Sequence, residues 1–571
     1  MKMIQFKYAI ISTAFLLGGM TTGCDTLDID NLETYDESMV WGDLNLAQAY
    51  VNNLYEECFE GWSVSADQNS DQVTGIPWYL GTITETGDSY KKWDYTKIRH
   101  INEAIFKLES SVIEDKDAVD FMLGQAYFMR AYMYYWMVLH HGGVPYLKVP
   151  QDKDKDDLYV KRNSTPECFQ FMIEDLDHAI SLLPAKIAGS SSDYGRIDQC
   201  FAKSWKAKTL LLKASPQFNP KRMYDNAYWK EAYVAAKEAY DFCVQNGIAL
   251  TENPADIWLQ EKGPEVIFPV IYSNPNRVAT WEYGTRPASV SRDKPYHNPT
   301  WEFVKDFPML DGKRYDDPTG KYYVGDEQAL LKAFWKNRDP RFNRACLYNG
   351  REWPVAGRPA DNRMYNALGV SNADDQYGVN PNAGVNAANN DIFSGMYNYK
   401  VSDLSLTQDK VMTFDIDYIL MRFAEVMFIY AEAANENGHS DVAIDLLKQI
   451  RKRAGINETS SNPEMKGKVY GLNPNMNQTE MREAVREERF IELLFEQKRL
   501  WDMRRWMIYD KLMNGQGKRH ALVMNKQADN TYTTYLFDRD NTPMITNQNI
   551  YFLPMKRSEM SNNPNLEQTK G

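Results

Sequence analysis

Glu487, Glu488, Glu492 and Glu496 crowd into one short stretch, with Arg489 inside it and Arg499 just beyond. Paired carboxylates are the raw material of glycoside hydrolysis. A retaining hydrolase holds them ~5–5.5 Å apart and keeps one protonated. Glu488 and Glu492 stand four residues apart, so they share a face of a helix. The same helix also sets arginines beside carboxylates at i+3 and i+4, and a neighbouring cation lowers a carboxylate pKa. The stretch therefore reads as a salt-bridge ladder that packs a helix, not as an acid–base pair.

The other reactive side chains form no catalytic pattern. His100, His140, His141, His178, His297, His439 and His520 make no H-E-x-x-H, and neither a P-loop nor G-x-S-x-G occurs. His140 and His141 stand before Gly142–Gly143, where they are placed to satisfy helix-end carbonyls. The six cysteines include no C-x-x-C pair, which excludes zinc-ribbon and thioredoxin-like readings. D-K-D-K-D-D at 152–157 lacks the spacing of a calcium loop and reads as a solvated turn. No cofactor or metal is expected, and structural calcium is not predicted.

What remains is binding chemistry. The chain has 14 Trp, 36 Tyr and 24 Phe, and several fall in polar loops. Trp78 and Tyr79 follow a proline within the Ser-, Gly-, Asp- and Thr-rich stretch 61–92. Trp281 and Tyr283 sit in R-V-A-T-W-E-Y-G, and Trp301 in H-N-P-T-W-E-F. An indole or phenol offers a flat, half-polar platform to the C–H face of a sugar or to a peptide side chain. Asp67, Asp71 and Arg286 are candidates to bond the hydroxyls. Trp93, Trp136, Trp205 and Trp506 lie on helical stripes and read as core.

These loops must be carried by something regular. Apolar residues recur at helical spacing over 46–60, 93–110, 117–141, 165–183, 198–214 and 226–246, and again over 417–437, 439–454 and 479–499. Leu123, Gly124 and Tyr127 match the L-G-x-x-Y of a tetratricopeptide helix, where the glycine lets a neighbour approach. Between the two helical blocks, 251–415 is loop-rich. E-V-I-F-P-V-I-Y at 265–272 reads as a strand there, and 361–396 is rich in Asn and Gly. The segment 549–571 reads as extended and polar.

The N-terminus supplies an address. Lys2 and Lys7 precede a short apolar run, Tyr8 to Met20, too short to span a bilayer. This is the form of a secretory signal peptide. Thr21-Thr22-Gly23-Cys24 resembles a bacterial lipobox, in which Cys24 is acylated and becomes the first mature residue; Thr21 stands where Leu is usual. The formal charge is −13, and loss of residues 1–23, with their two lysines and no acid, takes it to −15. Such a surface argues against nucleic acid and anionic membrane as main partners. It favours neutral ligands, or a partner met through a local patch.

Several motifs, taken in order, resemble the SusD/RagB family of outer-membrane lipoproteins. They are I-R-H-I-N-E-A-I at 98–105, G-Q-A-Y-F-M-R-A-Y-M-Y-Y-W-M-V-L-H-H-G-G-V-P at 124–145 and R-N-S-T-P-E-C-F-Q-F-M-I-E-D-L-D-H-A-I-S-L-L-P at 162–184. They continue with G-R-I-D-Q-C-F-A-K-S-W-K-A-K-T-L-L-L-K-A-S-P-Q-F-N-P at 195–220, Y-A-E-A-A-N at 430–435, E-E-R-F-I-E-L-L-F-E-Q-K-R-L-W-D-M-R-R-W at 487–506 and N-N-P-N-L-E-Q at 562–568. Gln125 stands where the family usually has Glu, and His141 where an aromatic is commoner.

The resemblance implies a mainly α fold: a right-handed stack of tetratricopeptide-like hairpins with a loop-rich insertion carrying minor β structure. It divides the chain into a signal peptide (1–23), a lipidated tether (24–45), an N-terminal helical region (46–250), the insertion with its binding face (251–415) and a C-terminal helical region (416–571). It implies a non-catalytic surface lipoprotein that caps a SusC-like, TonB-dependent barrel and hands it glycans. Peptide capture is the alternative within the family, and an exported glycoside hydrolase is the distant one. Family members place ligand aromatics in the regions of Trp78 and Trp281, which strengthens those two candidates.

Overall fold

The computed structural model describes residues 37–571 except 64, 74–82, 87–91, 220, 222, 292–296, 335, 358–362, 365–393, 458–468, 514–519, 539–549 and 570–571. The principal elements in chain order begin with helices α1 (Leu44–Cys58), α2 (Tyr95–Glu109), α3 (Lys116–His141), α4 (Thr165–Leu182), α5 (Gln199–Ala214) and α6 (Tyr228–Gln245). Strand β1 (Val266–Val270), helix α7 (Pro340–Ala345) and strands β2 (Cys346–Leu347), β3 (Tyr397–Asn398) and β4 (Tyr418–Arg422) follow. The chain continues with α8 (Phe423–Glu436), α9 (Ser440–Ala454), α10 (Gln478–Glu492) and α11 (Arg499–Arg505), then strands β5 (His520–Lys526) and β6 (Tyr532–Asp538).

The predicted helices form where their signals lie. Asp43 caps α1 by accepting from Asn45 N and Leu46 N. Ser164 and Glu167 close a capping box on α4, and Asn477 and Glu480 another on α10; each such cap contributes about 1 kcal/mol. Helix α3 is apolar nearly all round because it runs through the centre of the stack. A Cβ at Gly124 would meet Leu183 Cγ at 3.0 Å, so the small residue does let the end of α4 close on α3.

Successive helices pack as hairpins: α3 on α4, α5 on α6, α8 on α9. Helix α6 also packs on α8, so the two helical blocks form one continuous stack across the insertion between them. That splice explains one of three misread elements, the others being 479–499, whose helix ends at Glu492 and restarts at Arg499, and 549–571, which buries Ile550, Tyr551 and Leu553 and forms a helix at Arg557–Asn562. D-Y-I-L-M-R at 417–422 was expected to start a helix, but Tyr418–Arg422 is strand, paired antiparallel with β1 as Val270↔Tyr418 and Pro269↔Ile419. The insertion thus leaves and re-enters the stack at one two-stranded clasp. A short apolar run suits helix or strand equally, and here the partner decides.

The described part of the 61–92 stretch also departs from expectation. Residues 61–73 turn inward: Trp62 packs on Trp281, and Asp67, Asn69, Ser70 and Gln72 are buried. Among the described residues no helix is long and apolar enough to cross a membrane. Cys24 lies outside the described residues; the other five cysteines are buried thiols.

Candidate functional site

The glutamates of α10 and the turn after it are held as the ladder reading requires, though by other partners. Arg341 Nη1 donates to Glu488 Oε1 (2.6 Å) and Glu492 Oε2 (3.0 Å), and Arg451 Nε to Glu488 Oε2 (2.6 Å). Arg422 joins Glu265, Glu492 and Glu496; Arg453 joins Glu265 and Glu492; Lys400 joins Glu496. With the Arg341–Asp339 pair, five cations meet five carboxylates among the described residues. The partners come from α7, β4, α9 and the turn after β3, not from turns of the same helix. Burial alone would raise these carboxyl pKa values. The surrounding cations outweigh it and hold Glu488, Glu492 and Glu496 below the usual carboxylate range. None of the three is a proton donor in waiting. Glu487 makes no such pair among the described residues, and burial raises it.

Arg489 and Arg499 are held likewise, on Asp502 (2.6 Å) and Asp71 (2.7 Å). His140 and His141 each turn Nδ1 to a carbonyl, of Trp136 (2.6 Å) and Leu553 (3.1 Å).

The loop aromatics meet a different fate from the one their setting suggested. Trp281 is 1% exposed, its ring 4.6 Å from Trp62 and 5.2 Å from His297. Trp301 is fully buried, donates Nε1–H to Glu327 (2.6 Å) and stacks on Phe334. Arg286 is sealed against Glu282 and donates to Leu406 O (2.6 Å). Asp67 is buried, facing His297 Nε2 (3.1 Å), and Asp71 is half-buried on Arg499. Tyr283 is half-buried, its carbonyl accepting from Ser291 Oγ. The reason is mutual: the described parts of the 61–73 and 281–301 stretches seal each other. Val73 bridges Pro299, Thr300 N–H donates to Gln72 O (3.0 Å), and Thr300 Oγ to Asp71 O (2.6 Å). Trp281, Trp301, Asp67 and Arg286 are therefore core in this structure, not an open platform. Trp78 and Tyr79 lie outside the described residues.

Cavities also open among the described residues. One of about 400 Å³ lies inside the helix stack, where Lys208 and Lys498 already hold Glu425 (2.8 and 3.2 Å). One of about 830 Å³ lies on the hairpin side, where Tyr95 and Trp93 pack on each other edge to face. The third, about 790 Å³, opens on the insertion.

That third groove is built from short, rigid pieces. Helix α7 starts at Pro340 under the Asp339 cap and runs straight into β2, which pairs with β3. Gly350 turns the chain with φ +81°, a conformation that suits glycine. Its N–H donates to Met364 O (2.7 Å), and Met364 N–H returns to Arg351 O (2.9 Å). Beneath this turn Trp353, Val355, Met364, Leu347 and Tyr397 form a buried floor. The opposite wall is the β5–β6 hairpin, where Leu522, Met524 and Leu536 pack on the cluster that contains Trp301 and Phe342. Trp301 thus sits one layer below the wall of the groove.

Tyr348, Tyr399 and Tyr532 line the groove with Asn343, Arg351 and Arg363. Tyr348 stacks on Phe342 and donates Oη–H to Asn343 (2.9 Å); Arg363 donates to Gly350 O (2.8 Å). Tyr532 is 36% exposed. Phenol rings beside amide and guanidinium donors make a surface that can pack a sugar face and bond its hydroxyls. None of these tyrosines stood out in the sequence. A signal was present: H-A-L-V-M-N-K and Y-T-T-Y-L-F-D flank a polar turn, the pattern of a hairpin. Among the described residues no cluster of His, Cys, Asp and Glu is arranged to hold a metal ion.

Comparison with known proteins agrees with this architecture. A profile described as starch-binding and associating with the outer membrane matches residues 43–192. A SusD-like protein of Formosa agariphila is 23% identical over 477 residues, covering 82% of this chain and 79% of its own. A SusD-like protein from Bacteroides fragilis superposes with a TM-score of 0.74 at 22% identity, covering 94% of this chain and 99% of that one. A laminarin-binding SusD-like protein superposes with a TM-score of 0.58 at 17% identity, covering 93% and 99%. The SusD family profile itself matches residues 264–571, more than half of the sequence, and the chain belongs to the SusD family.

Proposed function

We propose that this protein is a non-catalytic glycan receptor, anchored through Cys24 to the outer membrane and facing the cell exterior. It captures oligo- or polysaccharide in the insertion groove and passes it to a SusC-like, TonB-dependent barrel. The SusD match over residues 264–571 carries the reading. It is supported by the outer-membrane, starch-binding description of the N-terminal match and by the laminarin-binding neighbour. The paired, depressed carboxylates of the 488–496 stretch agree with a binding role.

A glycan array probed with chain lacking residues 1–24 tests the capture step. Retention of glycans that is lost in Tyr532→Ala is expected. Retention of peptides alone would move the assignment to peptide capture, and release of reducing sugar abolished by Glu488→Gln would overturn the non-catalytic reading. Co-purification with a barrel from detergent-solubilised outer membrane, lost in Cys24→Ala, tests anchoring and delivery.

A further inference from the structure

Arg351 is held unlike the ion-paired arginines of the core. Arg130 pairs with Asp175, Arg286 with Glu282, Arg422 with Glu265, Glu492 and Glu496, and Arg505 with Glu432. Arg351 has no carboxylate partner among the described residues. Its one side-chain hydrogen bond among the described residues runs from Nη1 to Cys346 O. Its guanidinium carbon lies 4.0 Å from the centroid of the Tyr399 ring and 5.8 Å from that of Tyr348. Arg338 is also held by carbonyls, but it makes three such bonds within the core and does not line the groove.

A guanidinium carries five N–H donors in a planar fork and stays charged in proteins. One bond leaves most of that fork unused. A half-buried cation without a counter-charge is costly, and burial pulls the Arg351 pKa down, with only tyrosines and a thiol to oppose it. Stacking on rings holds the fork in place, which lowers the entropy cost of a planar, two-pronged contact. Around it the groove holds Arg363 and one acid, Glu352, which lies 3.7 Å from Arg363. The described lining therefore carries a net positive charge on a chain that is acidic overall. Most of the distant acids are screened, since the Debye length is about 8 Å at physiological salt.

Resting on the glycan-receptor reading above, we propose that the groove selects glycans bearing an anionic group, a uronate carboxylate or a sulfate ester, which binds on Arg351 between Tyr348 and Tyr399. The anion supplies the missing counter-charge while the tyrosines pack the sugar ring.

Affinity electrophoresis of the soluble chain through gels containing polygalacturonate, carrageenan, laminarin or starch tests this. Retardation on polygalacturonate or carrageenan, weakened at least tenfold by Arg351→Ala and partly kept by Arg351→Lys, is expected; retardation on only one of the two names the group. Retardation on laminarin or starch that Arg351→Ala leaves unchanged, with none on the acidic polymers, overturns the anionic selection and leaves glycan capture standing. No retardation on any polysaccharide overturns both. Should Arg351→Ala fail to fold, competition on the wild type decides: displacement by galacturonate or sulfated galactose but not by galactose supports the proposal, and equal displacement by galactose overturns it.

Discussion

Arg422 and Arg351 place the same side chain in opposite settings. Arg422 is 1% exposed and meets three carboxylates, each shared with further cations. Arg351 is half-buried at the lip of a groove and meets one carbonyl and two rings. In the first setting the charge is answered inside the fold, and the group holds α10 to β4 and to the strand clasp. In the second the charge is left for whatever enters. Residue type therefore does not separate structure from function in this protein. The count of internal counter-charges does, together with access to solvent.

The comparison can be broken most severely at Arg422. Arg422→Ala leaves Glu265, Glu492 and Glu496 short of a cation, and orphaning a buried partner costs about 3–5 kcal/mol. Loss of cooperative unfolding, or a large fall in the urea midpoint, is expected; a midpoint within error of wild type would mean that the network is not what clasps the insertion. Trp281→Ala should follow, at about 3 kcal/mol or more for a fully packed indole. Any loss of glycan binding in that variant should track its unfolding, and a stable variant with weakened binding would return Trp281 to the ligand site.

Acidity should loosen the network by a smaller amount. Glu488, Glu492 and Glu496 lie below the ordinary glutamate pKa of about 4.3 in the fold. On acidification the unfolded chain therefore binds protons first. This contribution is complete above about pH 5 and is lost as pH falls through the folded pKa values. Glu282 and Asp417, pushed up to about 7 by burial, act in the opposite sense. Their contribution is present below the unfolded carboxylate pKa and is lost as pH rises through about 7. Thermal melts should show a maximum between these limits, and a Tm rising steadily to pH 3 would contradict the pairing. The smallest stability effect belongs to the groove. Tyr532→Ala at an exposed strand position should change stability by about 0.5 kcal/mol or less, while glycan retention falls about fivefold or more. A variant that melts much lower would make Tyr532 a packing residue.

Much of this was legible before any coordinates. Gly142–Gly143 and the apolar stripes of α2 to α6 mark helices by local chemistry alone, and those helices stand where the stripes place them. Glu488, Glu492 and Glu496 are ion-paired as their crowding by arginines in sequence suggests, whereas Glu487 is not. Their actual partners were not readable, since Arg341, Arg422 and Arg453 are brought in from elements far away in the chain. Trp281 and Trp301 misled for the same reason. A polar flank shows that a residue lies in a loop, but it does not show that two loops close on each other.

The sequence by itself determined the helical stack, its family and the ionic character of α10, all of which follow from patterns a few residues long repeated in order. Only the tertiary structure decided that 418–422 is strand, that the tryptophans are sealed, and that Tyr348, Tyr399 and Tyr532 share an open groove around Arg351. Those outcomes depend on which distant segment arrives as partner, and burial and counter-charge are properties of the pair rather than of either residue.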